Sequence, residues 1–580
     1  MDVPQADPRP TPTRFEAFVF RSKTLLLQTR RLFVDKLVTP TSRFRKDSSL
    51  SSRKIIAESR TPLWTETEPA ERFLVAGKIN NLRLAVRELD GLEIPAGEVF
   101  SFWKHVGRAS RFRGFVAGRE LREGCIIPNV GGGLCQISNS LYDAALSANL
   151  EIVERHAHTQ VIEGSLAEKG RDATVFWNYV DLRFRSPHAI RIEAKLDPAD
   201  LTVRFRGEPN GNGNLNKRSR AIVHADQPRS CATCEVNECH SVVRRPSGAS
   251  FGKTAFLVDG VWPEFDDYLQ QVRTDRDQIF LPIDGARFRK ENYAWNTNGF
   301  GAVRQSPLRT VLRSFKSRKL AAQGAARQRN LLSMYEYLAG SYARRLKFDA
   351  LHIVVQQDLL PFLWKGGHLG GRTFDVLMTA LPMSELQRTL DEAAKLHPES
   401  TTLGDFRAEP WLLEAEAEAL QYARKVVTPH THIASLFGDR SELIRWNVPA
   451  RTNRPTLKNE KPVVVFPAST VGRKGCYELR EAIRGLDVKL LTLGPYIESK
   501  DFWDGFDVEQ GGDSWPDRAD LVVLPAYVEH RPRRLLCAAA CGIPVIATAN
   551  CGVTGMSGVH VIAPDAAGAL KTAIIDALKP

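Results

Sequence analysis

Two different hydrophobic patterns divide the chain. Residues 70–92 carry apolar positions at helical spacing, and a compact region follows to about residue 207. From Thr254 onward, short apolar runs alternate with helical stretches. The first five strand candidates are 254–260, 278–284, 351–356, 374–382 and 425–429, and the last five are 462–467, 488–494, 520–525, 543–548 and 559–564. Such strands predict two parallel, doubly wound α/β domains in tandem.

The first 60 residues form a basic arm. They hold 13 Lys/Arg against 6 Asp/Glu, which is about half of the +13 formal charge of the chain. Residues 14–37 alternate apolar and basic positions and predict an amphipathic helix that lies on an anionic membrane or docks on a protein surface. The remaining charge is nearly balanced, so we expect no nucleic-acid partner. We find no secretory pattern and no spanning apolar run, and we expect a cytoplasmic protein, with peripheral inner-membrane contact as the open alternative.

A glycine-rich turn precedes a cysteine in the segment NVGGGLCQISNSLYDAAL (129–146). The apolar spacing after Cys135 predicts a helix that begins there, and a helix N-terminus favours the thiolate form of cysteine. His156 and His158 are candidates for the base, and Asp172 is the candidate that orients it. The alternative interpretation is a structural cysteine in a glycine-rich turn.

Four segments together resemble the VanW family: GEVFSFWKHVG (97–107), VGGGLCQISNSLYDAAL (130–146), LEIVERHAH (150–158) and GRDATVFWNYVDLRFRS (170–186). The resemblance implies an α+β VanW-like domain over residues 61–208 and a connection with envelope glycans. It implies no settled activity, so catalysis at Cys135 and ligand binding both stay open.

A cysteine cluster follows in a linker, residues 209–250. Cys231, Cys234, Cys239 and His240 lie in the segment SCATCEVNECHS (230–241). Clustered thiols without an export signal predict a metal site that holds zinc or an iron–sulfur cluster. A loop of free thiols is the alternative.

The C-terminal half carries a second resemblance. The segments at 463–486 and 519–553, with Pro525, Glu529 and the CGIPVI sequence at 541–546, resemble the nucleotide-sugar-binding domain of retaining glycosyltransferases of the GT-B architecture. The resemblance implies two Rossmann-like domains, at 251–440 and 441–580. It also implies a nucleotide-sugar donor and a glycan or lipid-linked acceptor.

The resemblance assigns roles to individual residues. Arg473 and Lys474 would hold the diphosphate of the donor, Glu529 would accept hydrogen bonds from it, and Gly542 belongs to the same donor-binding set. His368, in the glycine-rich loop LWKGGHLGGR (363–372), is the candidate for acceptor contact. The pattern departs from the family at two positions, where Cys537 replaces a second acidic residue and Ser469 replaces an arginine.

The sequence therefore predicts a multidomain protein, an α+β VanW-like domain followed by a two-Rossmann α/β module. Transfer of a sugar from a nucleotide donor is the leading hypothesis. A non-catalytic protein that binds cell-wall precursors or glycans, and a cysteine-dependent enzyme centred on Cys135, are the alternatives.

Overall fold

The computed structural model divides the chain into two units. Unit 1 comprises Met1–Lys253, Leu346–His352 and Gly366–Thr373, and unit 2 comprises Thr254–Arg345, Ile353–Lys365 and Phe374–Pro580. The structure describes residues 13–38, 41–65, 71–122, 125–158, 165–177, 179–210, 229–230, 252–307, 310, 325–405, 407–450, 459–563 and 567–579. The metal site predicted at Cys231, Cys234, Cys239 and His240 lies outside these residues.

Unit 1 begins with a long helix, α1 (Arg14–Phe33), which continues as one π-helical turn, Val34–Val38. The Thr13 hydroxyl accepts a hydrogen bond from the Glu16 backbone, and the Glu16 side chain accepts one from the Thr13 N–H. This reciprocal cap satisfies backbone donors that the first helical turn leaves free, and it fixes where α1 begins.

The body of unit 1 is built on antiparallel strands. Its helices are α2 (Arg72–Leu89), α3 (Phe102–Val106) and α4 (Cys135–Ser147). Its strands are β1 (Ile55–Pro62), β2 (Leu92–Ile94), β3 (Val99–Ser101), β4 (Ala117–Arg122), β5 (Cys125–Val130), β6 (Glu151–Glu154), β7 (Arg183–Arg185), β8 (Ile190–Leu196), β9 (Asp200–Gly207) and β10 (Arg229–Ser230).

The largest sheet of unit 1 has the order β1-β9-β8-β2, and β3-β7-β6 and β10-β5-β4 form smaller sheets. Strand β9 alternates buried and half-buried residues along its length, as expected when one face of a sheet covers a core. Helix α4 packs against β1 and β9, and α2 packs against β4 and β8. Both helices therefore share one hydrophobic core with the sheet.

Unit 2 contains two mainly parallel sheets. The first uses strands β11 (Lys253–Leu257), β12 (Gln278–Leu281), β13 (Ala302–Gln305), β14 (Ala350–Gln356), β15 (Thr373–Leu377), β16 (Lys425–Thr428) and β17 (Ser441–Leu443). Their order in the sheet is β13-β12-β11-β14-β15-β16-β17. The accompanying helices are α5 (Pro263–Val272), α6 (Ala325–Ala343), α7 (Leu360–Lys365), α8 (Met383–Leu396), α9 (Pro410–Tyr422) and α10 (Thr431–Phe437).

The second sheet uses strands β18 (Val463–Phe466), β19 (Lys489–Thr492), β20 (Val508–Gln510), β21 (Leu521–Leu524), β22 (Val545–Thr548) and β23 (Val559–Ile562). Their order is β20-β19-β18-β21-β22-β23, and all five pairings are parallel. The accompanying helices are α11 (Cys476–Ala482), α12 (Trp515–Arg518), α13 (Arg533–Ala540) and α14 (Ala567–Ala577). This is a doubly wound sheet: successive strands are added in one direction from β18 and in the opposite direction from β21. Such a reversal of the strand order, called the chain reversal below, creates a crevice at the carboxyl ends of these two parallel strands.

The predicted pair of parallel α/β sheets is confirmed. All ten strand candidates of the C-terminal half are strands. Three further strands, β13, β17 and β20, escaped the hydrophobic pattern, and each lies at an edge of its sheet. Their residues are half-buried or exposed, so they lack the continuous apolar run of a central strand.

Candidate functional site

Cys135 is the first residue of α4 and follows a turn of three glycines. Gly131 and Gly133 adopt positive φ angles of 83° and 94°. A Cβ atom on Gly133 would lie 2.1 Å from Cγ of Lys78, so a larger residue would both strain the backbone and displace that side chain. The glycines therefore let the chain pass close to α2 and enter α4 at the thiol.

His158 joins Cys135 to Asp172. The His158 ring Nδ1–H donates to Asp172 Oδ2 over 2.7 Å, and the side chain of Cys135 is close enough to the ring to contribute to its pKa. Burial alone would lower the pKa of His158, but the hydrogen bonds and the charges of these two partners outweigh burial and raise it to about 10. The imidazole is therefore held as a cation between a thiol and a carboxylate.

Asp172 is in turn held from several directions. The His158 backbone N–H donates to its carboxylate over 2.6 Å, and Arg155 Nη2 donates over 2.5 Å. Burial would raise the pKa of Asp172, but His158 and Arg155 together lower it. The Arg155 guanidinium also lies 5.1 Å from the Tyr142 ring centroid, which fixes its plane. Arg155 was not identified from the sequence, although it directly precedes the segment with the two candidate histidines.

His156 has a different partner. Its Nε2 lies 3.3 Å from Glu154 Oε1, and half of its side chain is exposed. Glu154 also accepts from Arg31 of α1, so His156 borders the ion pairs that attach this helix to the body of unit 1. The structure thus brings His158, rather than His156, together with Cys135 and Asp172.

A second cluster occupies the crevice of the six-stranded sheet in unit 2. Lys474 follows β18 and Glu529 follows β21, which are the two strands that flank the chain reversal. Lys474 Nζ donates to Glu529 Oε2 over 2.8 Å and to the Val528 carbonyl over 2.8 Å. The Glu529 carboxylate also accepts from the Arg531 backbone N–H over 2.8 Å.

The electrostatics of this pair favour the charged carboxylate. Burial alone would raise the pKa of Glu529, but the neighbouring Lys474 ammonium and the Arg531 N–H lower it. The neighbouring residue Arg473 accepts hydrogen bonds at its carbonyl from Tyr527 N and Val528 N. The two loops that follow β18 and β21 are therefore joined through both backbone and side chains.

Gly475 makes the close approach of these loops possible. It has a φ angle of 75°, and a Cβ atom there would lie 2.0 Å from the Pro525 carbonyl oxygen. Any larger residue would push the loop that carries Arg473 and Lys474 away from the end of β21.

Two histidines, the buried His430 and the half-buried His530, connect this cluster with the seven-stranded sheet of unit 2. His430, which follows β16, donates from Nε2 to the carbonyls of Glu529 and Asn550 over 3.1 and 3.2 Å. His530 accepts at Nε2 from the Leu381 backbone N–H over 3.3 Å. Burial lowers the pKa of His430 to about 4 and that of His530 to about 3, so both rings stay neutral. Neither was identified from the sequence, although PHTH after a predicted strand was a usable signal.

Gly542 does not join this cluster. It follows Cys541, the C-cap of α13, with a φ angle of 69° and precedes β22, which places it at the amino-terminal edge of the six-stranded sheet. Lys474 and Glu529 lie at the carboxyl-terminal edge. The described structure thus gives Gly542 the role of a helix C-terminal residue in the left-handed region.

His368 lies in the loop that precedes β15 in the chain. Its Nδ1 accepts from Arg87 Nη2 over 2.6 Å, within unit 1. Burial and the charges of Arg87, Arg372 and Arg83 lower the pKa of His368 to about 3. The acceptor contact predicted for His368 stays a prediction.

Within the part of the chain that the structure describes, no group of three or more His, Cys, Asp or Glu side chains could hold a metal ion. The described residues likewise contain no helix of the length and apolarity that crossing a membrane requires.

Comparisons with known proteins agree with the first resemblance. The family model described as VanW like protein matches residues 77–206. The YoaR protein of Bacillus subtilis is 32% identical over 144 residues, which is 24% of this chain and 47% of that protein. The vancomycin B-type resistance protein VanW of Enterococcus faecalis is 33% identical over 135 residues, which is 23% of this chain and 49% of that protein. The chain thus spans about half the length of these curated relatives.

Among solved structures, the sucrose-phosphate synthase of Thermosynechococcus elongatus resembles this chain with a TM-score of 0.35 and 16% identity, over 56% of this chain and 90% of that one. The cysteine and its partners His158 and Asp172 all fall within the region that the family model matches. Residues 77–206 of this chain are a VanW-like domain, and the described residues that follow it carry two parallel α/β sheets.

Proposed function

We propose that this protein is a glycosyltransferase that moves a sugar from a nucleotide donor to an envelope-related glycan or lipid-linked acceptor. The observation that carries the proposal is the Lys474–Glu529 pair at the chain reversal of the six-stranded sheet. A cation and a carboxylate at this crevice match the two polar parts of a sugar nucleotide, its diphosphate and its ribose hydroxyls.

The chemistry assigned to these residues is electrostatic. When the bond between the sugar C1 and the diphosphate oxygen breaks, negative charge develops on the leaving diphosphate, and Lys474 and Arg473 would stabilise it. Glu529 would accept hydrogen bonds from the donor hydroxyls. The acceptor hydroxyl would form the new bond to C1 and pass its proton to the oxygen of the departing diphosphate. We assign the reaction to the retaining class, in which the new bond keeps the configuration of the old one.

Lys474 is paired with Glu529 in this structure, so the diphosphate must compete with the carboxylate for the ammonium group. Exchange of the Glu529 carboxylate for the doubly charged diphosphate is favourable for the Lys474 ammonium group. The carboxylate then keeps its hydrogen bond from the Arg531 backbone N–H. The departures at Cys537 and Ser469 leave Arg473 and Lys474 as the phosphate-binding cations that the resemblance identifies.

The test is release of nucleoside diphosphate from UDP-, GDP-, ADP- and TDP-sugars, with bacterial lipid extract as the acceptor source. One donor should be consumed, and Lys474→Ala should lower the rate about 100-fold or more, as loss of one transition-state donor does. Lys489→Ala is the matched control, because Lys489 forms a comparable pair with Glu509 within the same sheet. Equal rates of nucleoside diphosphate release from Lys474→Ala and Lys489→Ala would exclude the Lys474–Glu529 crevice as the donor site.

The arrangement around Cys135 favours a second candidate function, a cysteine-dependent enzyme. A cationic imidazole beside a thiol stabilises the thiolate, and the Asp172 carboxylate keeps the imidazole oriented. A thiolate at the start of α4 would attack an electrophilic carbon such as an acyl carbonyl.

Alkylation by iodoacetamide at pH 7 tests this candidate. Cys135 should react faster than the other cysteines of the folded protein, and His158→Ala should slow its alkylation at least 10-fold because the thiolate loses its cationic partner. His156→Ala is the matched control and should react like the wild type, since His156 bonds Glu154 instead. Slow alkylation of the wild type would leave Cys135 a structural residue.

A further inference from the structure

Helix α1 exposes a mainly apolar face. Six large side chains on it are each more than half exposed, from 52% for Leu32 to 74% for Phe15; the others are Phe18, Leu25, Leu26 and Phe33. At 100° per residue these six positions fall within an arc of about 120° on one side of the helix. The described residues of unit 1 leave this face uncovered.

The opposite side of α1 is attached to the body of unit 1. Arg31 Nη1 donates to Glu154 Oε2 over 2.8 Å, and its other terminal nitrogen donates to the Tyr179 carbonyl over 3.2 Å. In the π-helical turn that follows, Asp35 accepts from Arg183 over 2.5 Å. Arg31 and Arg183 are almost buried. These ion pairs fix the rotation of α1 about its axis, so the apolar face points away from the body.

Basic residues border the apolar face. Residues 14–38 contain 6 Lys/Arg and 2 Asp/Glu. Arg14 lies along one side of the apolar arc, and Lys23 and Arg30 lie along the other. One of the two acidic residues, Asp35, is neutralised by Arg183, and the other, Glu16, caps the helix.

We propose that α1 is an interfacial helix that binds unit 1 to an anionic lipid surface. The apolar side chains enter the boundary between head groups and acyl chains, while the bordering cations contact lipid phosphates. The charge selects this occupant over a second copy of the chain, because two such faces would bring their basic borders together. The helix lies parallel to the surface, since its Arg31 side remains paired with Glu154.

Helix α1 is connected with the region of Cys135 through Glu154. Glu154, which anchors α1, also contacts His156 and lies four residues before His158 in the chain. A docked α1 therefore holds the Cys135 region of the VanW-like domain at the lipid surface. The proposal does not depend on donor chemistry in unit 2.

Co-sedimentation of the full-length protein with lipid vesicles tests the proposal. We expect at least 10-fold stronger binding to phosphatidylcholine vesicles that contain 30% phosphatidylglycerol than to pure phosphatidylcholine, and weaker binding in 0.5 M salt. The Leu25→Asp/Leu26→Asp variant should lose at least 10-fold in binding, and so should Lys23→Glu/Arg30→Glu.

Leu396→Asp is the matched control, because Leu396 is a leucine of similar exposure, 56%, on helix α8 of unit 2. It should bind like the wild type. Phe18→Asp serves as a second apolar variant, and circular dichroism checks that each protein is folded. The proposal is overturned if the wild type ignores anionic vesicles, or if the apolar variants bind them equally well. It is also overturned if the face instead holds a dimer that these variants dissociate.

Discussion

At the scale of single residues, His158 has a pKa far above the ordinary value of a histidine. Its ring lies between the Cys135 side chain and the Asp172 carboxylate, and these partners raise its pKa to about 10 despite burial. The raised value is a direct consequence of the geometry, and it can be measured without knowledge of any substrate.

We expect the His158 ring to remain an imidazolium at pH 8.5. Nitrogen chemical shifts of ¹⁵N-histidine-labelled protein measure this state. Asp172→Asn should move the titration midpoint down, because it removes the carboxylate that stabilises the cation. A midpoint below pH 7 in the wild type would contradict the described contacts.

The same pair sets a pH dependence of stability. A histidine whose pKa is higher in the folded state than its ordinary value of 6.5 contributes stability that is complete below pH 6.5 and is lost as the pH rises through about 10. Asp172→Asn should therefore lower the free energy of unfolding by about 2 kcal/mol at pH 6 and by much less at pH 10. Urea unfolding at the two pH values measures the difference, and an equal loss at both would count against the ion pair.

At the scale of elements, turns that require glycine determine where each candidate site forms. Gly133 brings the turn before α4 against Lys78, and Gly475 brings the loop after β18 against Pro525. In each case a short stretch of backbone, and not a side chain, allows the close approach of two segments.

Gly475→Ala and Gly485→Ala separate strain from crowding. Both glycines have positive φ angles, 75° and 77°, but a Cβ atom at Gly485 would meet nothing within 4 Å. Backbone strain should lower the free energy of unfolding of each variant by about 1 kcal/mol. The clash with Pro525 should lower that of Gly475→Ala by at least about 1 kcal/mol more. Chemical denaturation compares them, and equal losses would show that the approach of the two loops is not tight.

The elements also show what the sequence could and could not predict. Central strands such as β18 and β21 are buried on both faces, so their continuous apolar runs identified them. Edge strands such as β20 lack that signature. The role of Cys135 as the first residue of a helix was predictable from local spacing. The pairing of Lys474 with Glu529 was not, because it depends on which strands are neighbours, and neither were the His430 and His530 contacts between the two sheets.

At the scale of the whole molecule, the two sheets of unit 2 are joined by buried polar contacts. Glu264 at the start of α5 is fully buried and accepts two hydrogen bonds from Arg533, over 2.6 and 2.7 Å. Helix α5 accompanies the seven-stranded sheet, and Arg533 is the first residue of α13, which accompanies the six-stranded sheet. The pair therefore fixes the mutual orientation of the two sheets near Lys474 and Glu529.

Glu264→Ala should lower the free energy of unfolding by about 2–3 kcal/mol, since it leaves Arg533 without its carboxylate partner. Glu509→Ala is the control, because Glu509 pairs with Arg518 and Lys489 at the exposed surface of one sheet and should contribute less than about 1 kcal/mol. Urea denaturation followed by tryptophan fluorescence compares the two. A similar small loss in both variants would mean that other contacts hold the sheets together.

The central claim is that the crevice at Lys474 and Glu529 binds a nucleotide sugar. A thermal-shift screen of the full-length protein against UDP-, GDP-, ADP- and TDP-sugars tests it most directly. We expect one nucleotide class to raise the melting temperature of the wild type and of Lys489→Ala, but not that of Lys474→Ala. A flat response from folded wild-type protein, or an equal rise in Lys474→Ala, would contradict it.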